Sequence, residues 1–131
     1  MAKIKAFTDL DQSKKLAEIL PIESADMWWN WLSDPFDEVN GGEYVKEPLL
    51  HKPVCNPDAA VPCWSLAALL NILPHCIDDG YDLVLGKLTD NKGWYVMYDD
   101  VDHFTRFYVT HSDLIDACIE MIVKLKEKDL I

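Results

Sequence analysis

The segment Pro62-Cys63-Trp64-Ser65-Leu66-Ala67-Ala68-Leu69-Leu70-Asn71-Ile72-Leu73-Pro74 constrains the fold most, because it is a run of apolar residues closed by a proline at each end. Proline is tolerated in a first helical turn and cannot continue a helix, so the pattern predicts a central buried helix over Pro62 to Leu73. A cysteine in that first turn has two readings. A thiol at a helix N-terminus can have its pKa lowered and act as a nucleophile; a cysteine inside an apolar helix is otherwise ordinary core material.

Downstream of this helix, Tyr81 to Thr89, Trp94 to Asp99 and Phe104 to Thr110 are rich in Val, Tyr, Phe and Leu and read as three strands. Asp90-Asn91-Lys92-Gly93 is a hairpin loop, and Asp100-Val101-Asp102-His103 is as short, so the strands form an antiparallel meander. The last helix follows, with Ser112 as cap, Asp113 and Asp116 near its positive end, and Lys124, Lys126 and Lys128 near its negative end. Leu114, Cys118, Met121, Ile122 and Leu125 recur on it at helical spacing.

Ahead of the central helix, Thr8 is positioned to cap a helix from Asp9 to Leu20, with Asp11 completing a capping box and Pro21 stopping it. From Ile22 to Val61 six prolines and glycines interrupt the chain, and only short strands near Glu43 to Lys46 and around Leu49 are expected. Met27, Trp28, Trp31 and Leu32 share a face if Ser24 caps a helix there, whereas a strand separates Trp29 and Trp31 from Trp28; both remain open. The expected architecture is a single α+β domain over residues 1–131: helix, irregular region, helix, three-stranded antiparallel sheet, helix, with the helices on one face of the sheet.

Twelve basic against twenty-three acidic residues give a net charge of −11. Such a field repels phosphate backbones and favours a basic protein partner. Helix, three strands and helix is also the order of double-stranded RNA-binding domains, but those need a set of cationic side chains aimed at phosphates, and this chain has a single arginine, Arg106. No nucleic-acid partner is expected. The N-terminal residues lack the apolar core of a secretory signal and no apolar run is long enough to span a bilayer, so a soluble, cytoplasmic protein with reduced cysteines is expected.

The titratable side chains suggest no cofactor. His51, Cys55, Cys63, His75, Cys76 and Cys118 lack the closely spaced thiol pairs of structural zinc sites, and Asp99-Asp100-Val101-Asp102 lacks the alternation and glycine of a calcium loop. A thiol nucleophile at Cys63 would need an imidazole and an orienting group; His103 or His111 with Asp113 supply them in the chain order of papain-like hydrolases, without that family's glycine-rich approach to the nucleophile. Two candidate binding sets remain. Asp78, Asp79, Asp82, Asp99, Asp100 and Asp102 crowd the turns of the expected sheet and would form a negative patch if those turns meet, and Trp28, Trp29 and Trp31 could anchor an interface.

Three stretches, Ile22-Glu23-Ser24-Ala25-Asp26-Met27, Pro62 to Leu70 and Asp116 to Leu125, resemble segments of a family of small proteins of gut bacteria and their phages or mobile elements. The resemblance implies a cytoplasmic accessory protein and brings no catalytic residue with it. The expected role is accordingly a non-enzymatic acidic module that binds another protein, with the Cys63 hydrolase as the alternative.

Overall fold

Asp9, not Thr8, opens the first helix. In the computed structural model, which describes residues 5–33, 42–44, 47–52 and 59–131, α1 spans Leu10–Ile19. The Asp9 carboxylate accepts from the Gln12 amide at 2.8 Å, and the Gln12 side-chain oxygen accepts from the Asp9 amide at 3.0 Å. This reciprocal box satisfies two of the donors that a helix start leaves unpaired. Thr8 is committed elsewhere: it is buried, its hydroxyl shares a hydrogen bond with Ser13 at 2.7 Å and accepts from the Trp64 amide at 3.1 Å, and its own amide donates to the Trp64 carbonyl at 2.9 Å.

The described residues form two compact units, one within Phe7–Ala68 and one of Leu69–Ile131 together with Lys5 and Ala6. In the first, the described residues after α1 form short antiparallel ladders, as expected for so interrupted a stretch. A single 3-10 turn, Ile22–Ser24, precedes β1, Met27–Trp29; β2 is Trp31–Ser33, β3 is Gly42–Tyr44 and β4 is Val61–Cys63. β1 pairs with β4 in the register Met27↔Cys63, and β2 pairs with β3 in the register Trp31↔Tyr44. The tryptophans are thus on strands. Leu49 makes a bridge to Trp28, with two backbone hydrogen bonds of 2.7 Å; the rest of the strand expected at Glu43 to Lys46 includes residues outside the described ones.

The expected helix over Pro62 to Leu73 is corrected to a strand followed by a shorter helix, α2, Leu66–Ile72. Proline holds its predecessor, Val61, in extended geometry, and the β1 ladder together with the Thr8–Trp64 bonds keeps the chain extended through Trp64. Ser65 then caps α2, its hydroxyl accepting from the Ala68 amide at 3.2 Å, while both Asp26 carboxylate oxygens hold Ser65 in place.

The second unit holds one antiparallel sheet of four strands, not three: β5, Cys76–Ile77; β6, Tyr81–Lys87; β7, Trp94–Asp99; and β8, Thr105–His111, in that spatial order. β5 is two residues long and sits between Pro74 and the Asp78-Asp79-Gly80 turn, which is too little sequence for a periodic signal. Asp78 and Asp79 in that turn take positive φ values of 48° and 56°, a region aspartate tolerates better than most side chains. Helix α3, Leu114–Glu127, packs against β7 and β8, and its N-cap is Asp113 rather than Ser112, the carboxylate accepting from the Ile115 amide at 2.9 Å. Lys5 adds a cation to this end of the helix, its ammonium 3.0 Å from Asp116.

Val96, Tyr98 and Val109 from the sheet and Ile115, Ala117, Cys118, Met121, Ile122 and Leu125 from α3 are almost completely buried. Burying each large aliphatic side chain in this layer contributes about 1.5–3 kcal/mol. Tyr98 brings its hydroxyl inside as well and donates it to the Pro74 carbonyl at 2.7 Å. On the opposite face of the sheet the rings of Tyr95 and Tyr108 stack with centroids 6.2 Å apart, and Tyr95 lies across Gly86, where a Cβ would come within 2.8 Å of its Cζ.

Gly93 closes the β6–β7 hairpin at a φ of 131°, and a Cβ there would meet the His111 carbonyl and stand 2.9 Å from the Ser112 Cα. Gly93→Ala therefore combines backbone strain with a clash against main chain, and the denaturation midpoint is expected to fall by the equivalent of about 2 kcal/mol or more. An unchanged midpoint would contradict the hairpin geometry.

Candidate functional site

Strand register decides where the acidic side chains meet. Cys76 pairs with Asp82, Asp82 with Asp99, and Asp99 with Thr105, so one row crosses the whole sheet at the end where the β5–β6 turn and the β7–β8 loop both lie. Asp78, Asp79, Asp82, Asp99, Asp100 and Asp102 are brought together at that end. Asp82 and Asp99 oppose each other directly, an unfavourable placement for like charges.

Local partners offset part of this repulsion. Asp99 is only 9% exposed and accepts from the Thr105 hydroxyl at 3.0 Å, with His103 Nδ1 3.6 Å from its other oxygen. The Arg106 guanidinium pairs with Asp78 and lies over the rings of Tyr81 and Phe107, at 6.0 and 5.4 Å. Asp79, Asp82 and Asp102 remain solvent-exposed.

The β7–β8 loop is organised by its first aspartate. Asp100 Oδ1 accepts from the amides of Asp102 at 2.9 Å and Phe104 at 2.8 Å, the Asp100 amide donates to the Phe104 carbonyl at 3.0 Å, and the His103 amide donates to the Asp100 carbonyl at 3.0 Å. Four hydrogen bonds within five residues give this loop a defined shape while leaving Val101 85% and Phe104 69% exposed. Two apolar side chains therefore stand among the carboxylates. In the sequence Phe104 reads as the start of a strand and Val101 as part of a short link; an apolar residue on each side of Asp102-His103 is the signal for the exposed pair.

At the other end of the same sheet, Lys87, Asn91, Gly93, Trp94 and Ser112 line a cavity of about 140 Å³. The Lys87 ammonium sits 5.2 Å from the Trp94 ring centroid, so this end presents a cation and an indole where the first presents acids.

The three neighbouring tryptophans belong to the other unit and differ in burial. Trp29 is 7% exposed, donates its indole N–H to Ser13 at 3.1 Å and meets Phe7 edge-on at 5.8 Å. Trp28 and Trp31 are half-buried, Trp28 beneath the Lys52 ammonium at 5.5 Å and Trp31 edge-on to Tyr44 at 4.9 Å. Trp29 is thus core, and no cluster of three exposed indoles forms.

Cys63 lies on a strand, not at a helix N-terminus, so the field that the alternative reading requires to activate it is missing. The thiol is fully buried, donates to the Thr8 carbonyl at 3.4 Å and has the Thr8 hydroxyl at 3.5 Å. Burial pushes its pKa up, hydrogen bonds from Thr8 and Ser13 pull it partway back, and the nearby Asp26 charge adds to the rise. The other residues of the alternative catalytic set have partners of their own: His103 has Asp99, His111 pairs with Glu120 at 3.1 Å, and Asp113 caps α3. Among the described residues no three His, Cys, Asp or Glu side chains are grouped to hold a metal ion, and Cys55 lies outside them. No helix among the described residues is long and apolar enough to cross a membrane.

Compared with protein-family models, curated proteins and solved structures, the chain matches none.

Burial also pushes the Cys118 thiol up to about 12 from an ordinary 9.0. The folded protein therefore keeps a proton that the unfolded chain releases first. Its contribution to stability is complete below pH 9 and is lost as pH rises toward 12. Denaturant midpoints measured across that window should fall more steeply for the native sequence than for Cys118→Ala, and equal slopes would contradict the buried thiol. In the native state, alkylation is expected at the half-exposed Cys76 well before Cys63 or Cys118.

Proposed function

We propose that this protein is a non-enzymatic accessory module that recognises a basic protein through the acidic end of its four-stranded sheet. The observation that carries the reading is the loop of residues 100–104, which holds Val101 and Phe104 outward on a hydrogen-bonded frame beside six aspartates. An ordered apolar knob ringed by charge suits protein recognition, because the charge steers encounter and desolvated apolar side chains supply most of the affinity. A net charge of −11 favours a basic partner and opposes nucleic acid.

A hydrolase built on Cys63 is less well supported, since the thiol is buried and its pKa raised. Cys63, Cys76 and Cys118 are free thiols, which suits a reducing compartment such as the cytoplasm.

The test compares capture from cell lysate by the native protein and by two variants. Asp79→Asn/Asp82→Asn/Asp102→Asn removes charge from exposed positions without touching the hydrogen bonds of Asp99 or Asp100. Phe104→Ala removes the apolar anchor. The native protein should retain a specific basic protein at low salt and release it as the screening length shrinks from about 30 Å at 0.01 M to about 10 Å at 0.1 M. Each variant should bind that protein about tenfold more weakly or worse. Equal retention by all three proteins would overturn the reading.

A further inference from the structure

The two edges of the four-stranded sheet are unlike. β5 is two residues long and follows Pro74 closely, which leaves little backbone to extend. β8 is seven residues long, Thr105-Arg106-Phe107-Tyr108-Val109-Thr110-His111, contains neither lysine nor proline, and among the described residues pairs with β7 alone. Proteins ordinarily protect an edge strand by shortening it, by placing charged residues or proline on it, by a bulge, or by covering it, because its unpaired amides and carbonyls are a template for another strand. β8 carries two such devices, the charged Arg106 and a register shift opposite Tyr98 and Asp99, and both lie at the beginning of the strand. From Phe107 to His111 the pairing is regular, and Tyr108 is 52% exposed.

We infer that β8 is a strand-addition edge, and that the segment it takes is an extended, lysine- or arginine-bearing stretch of the basic partner. The inference rests on the reading of the acidic end given above and deepens it. β8 leaves the loop of residues 100–104 directly, and Thr105 is bonded to Asp99. A strand laid along β8 therefore has one end beside Asp99, Asp100 and Asp102, where cationic side chains are drawn in, and continues past Tyr108 and Thr110, which offer cross-strand contacts to β-branched or aromatic residues. Backbone hydrogen bonds would supply affinity, and alternate side chains specificity. Charge distinguishes this occupant from a second copy of the chain. Two molecules each carrying −11 repel, whereas a basic segment is attracted.

The experiment uses the full chain, isotope-labelled for NMR, with two synthetic probes. One is an acetylated and amidated heptapeptide alternating Lys and Val; the other has the same sequence with its backbone amides N-methylated, which keeps the charge and removes the donors. With the first peptide at about ten times its dissociation constant, the outward-facing amides of β8, alternate along the strand, should exchange about tenfold more slowly. The N-methylated peptide should leave their exchange unchanged.

If both peptides bind equally and β8 exchange does not change, strand addition is wrong. In that case, loss of binding in Asp79→Asn/Asp82→Asn/Asp102→Asn leaves the acidic end standing as the recognition surface. If neither peptide binds at low salt, both the edge and the acidic end fail. Protection of β8 that grows with protein concentration in the absence of peptide, together with a doubled mass in sedimentation, would overturn the inference in favour of a second copy.

Discussion

Asp82 and Asp99 face one another across the β6–β7 ladder, and what this molecule presents at that end of the sheet depends on the pairing. Like charges directly opposite one another on paired strands are destabilising, by an amount on the order of 0.2–1 kcal/mol. The fold accommodates this by giving the inner carboxylate a hydroxyl donor from Thr105 and an imidazole from His103, while the outer one remains in water. A one-residue slip would send every side chain of a strand to the opposite face. It would also remove Val96, Tyr98 and Val109 from the layer under α3, so core packing fixes where the acids go.

Cys63 lacks the surroundings that a nucleophile requires. An activated thiol needs exposure and a neighbouring base; Cys63 instead helps close the small unit in which Thr8, Ser13, Trp29 and Trp64 satisfy one another's polar atoms. Sulfur there is a packed group with a hydrogen-bonded proton. The acids at the sheet end are largely wet, and the loop between them is ordered by Asp100, so its apolar side chains meet solvent with little freedom left to lose on binding.

Much of the second unit was legible in the chain. β6, β7 and β8 are rich in Val, Tyr, Phe and Leu, a strand composition, and α3 repeats its apolar residues at helical spacing. Short loops between the strands made an antiparallel arrangement the simplest outcome, and with it the meeting of acidic turns. What escaped was settled by contacts distant in sequence. Val61 to Trp64 is apolar on every side and fits helix or strand equally; its bonds to Met27–Trp29 and Thr8 decide. Thr8 lost the cap to Asp9 because Trp64 and Ser13 claim it, and Gln12 proved the better-placed partner in the box. Phe104 looked like a strand residue because aromatic character is a strand signal, whereas Asp100 holds it in the loop.

Replacing one charge of the opposed pair tests the central claim most directly, because a recognition surface and a structural ion cluster respond with opposite signs. For Asp82→Asn, the account predicts that the denaturation midpoint rises by the equivalent of about 0.5–1 kcal/mol as repulsion from Asp99 is relieved, while affinity for the basic partner falls. A lower midpoint with unchanged affinity would show that the carboxylates hold the fold together and do not bind, and would contradict the account.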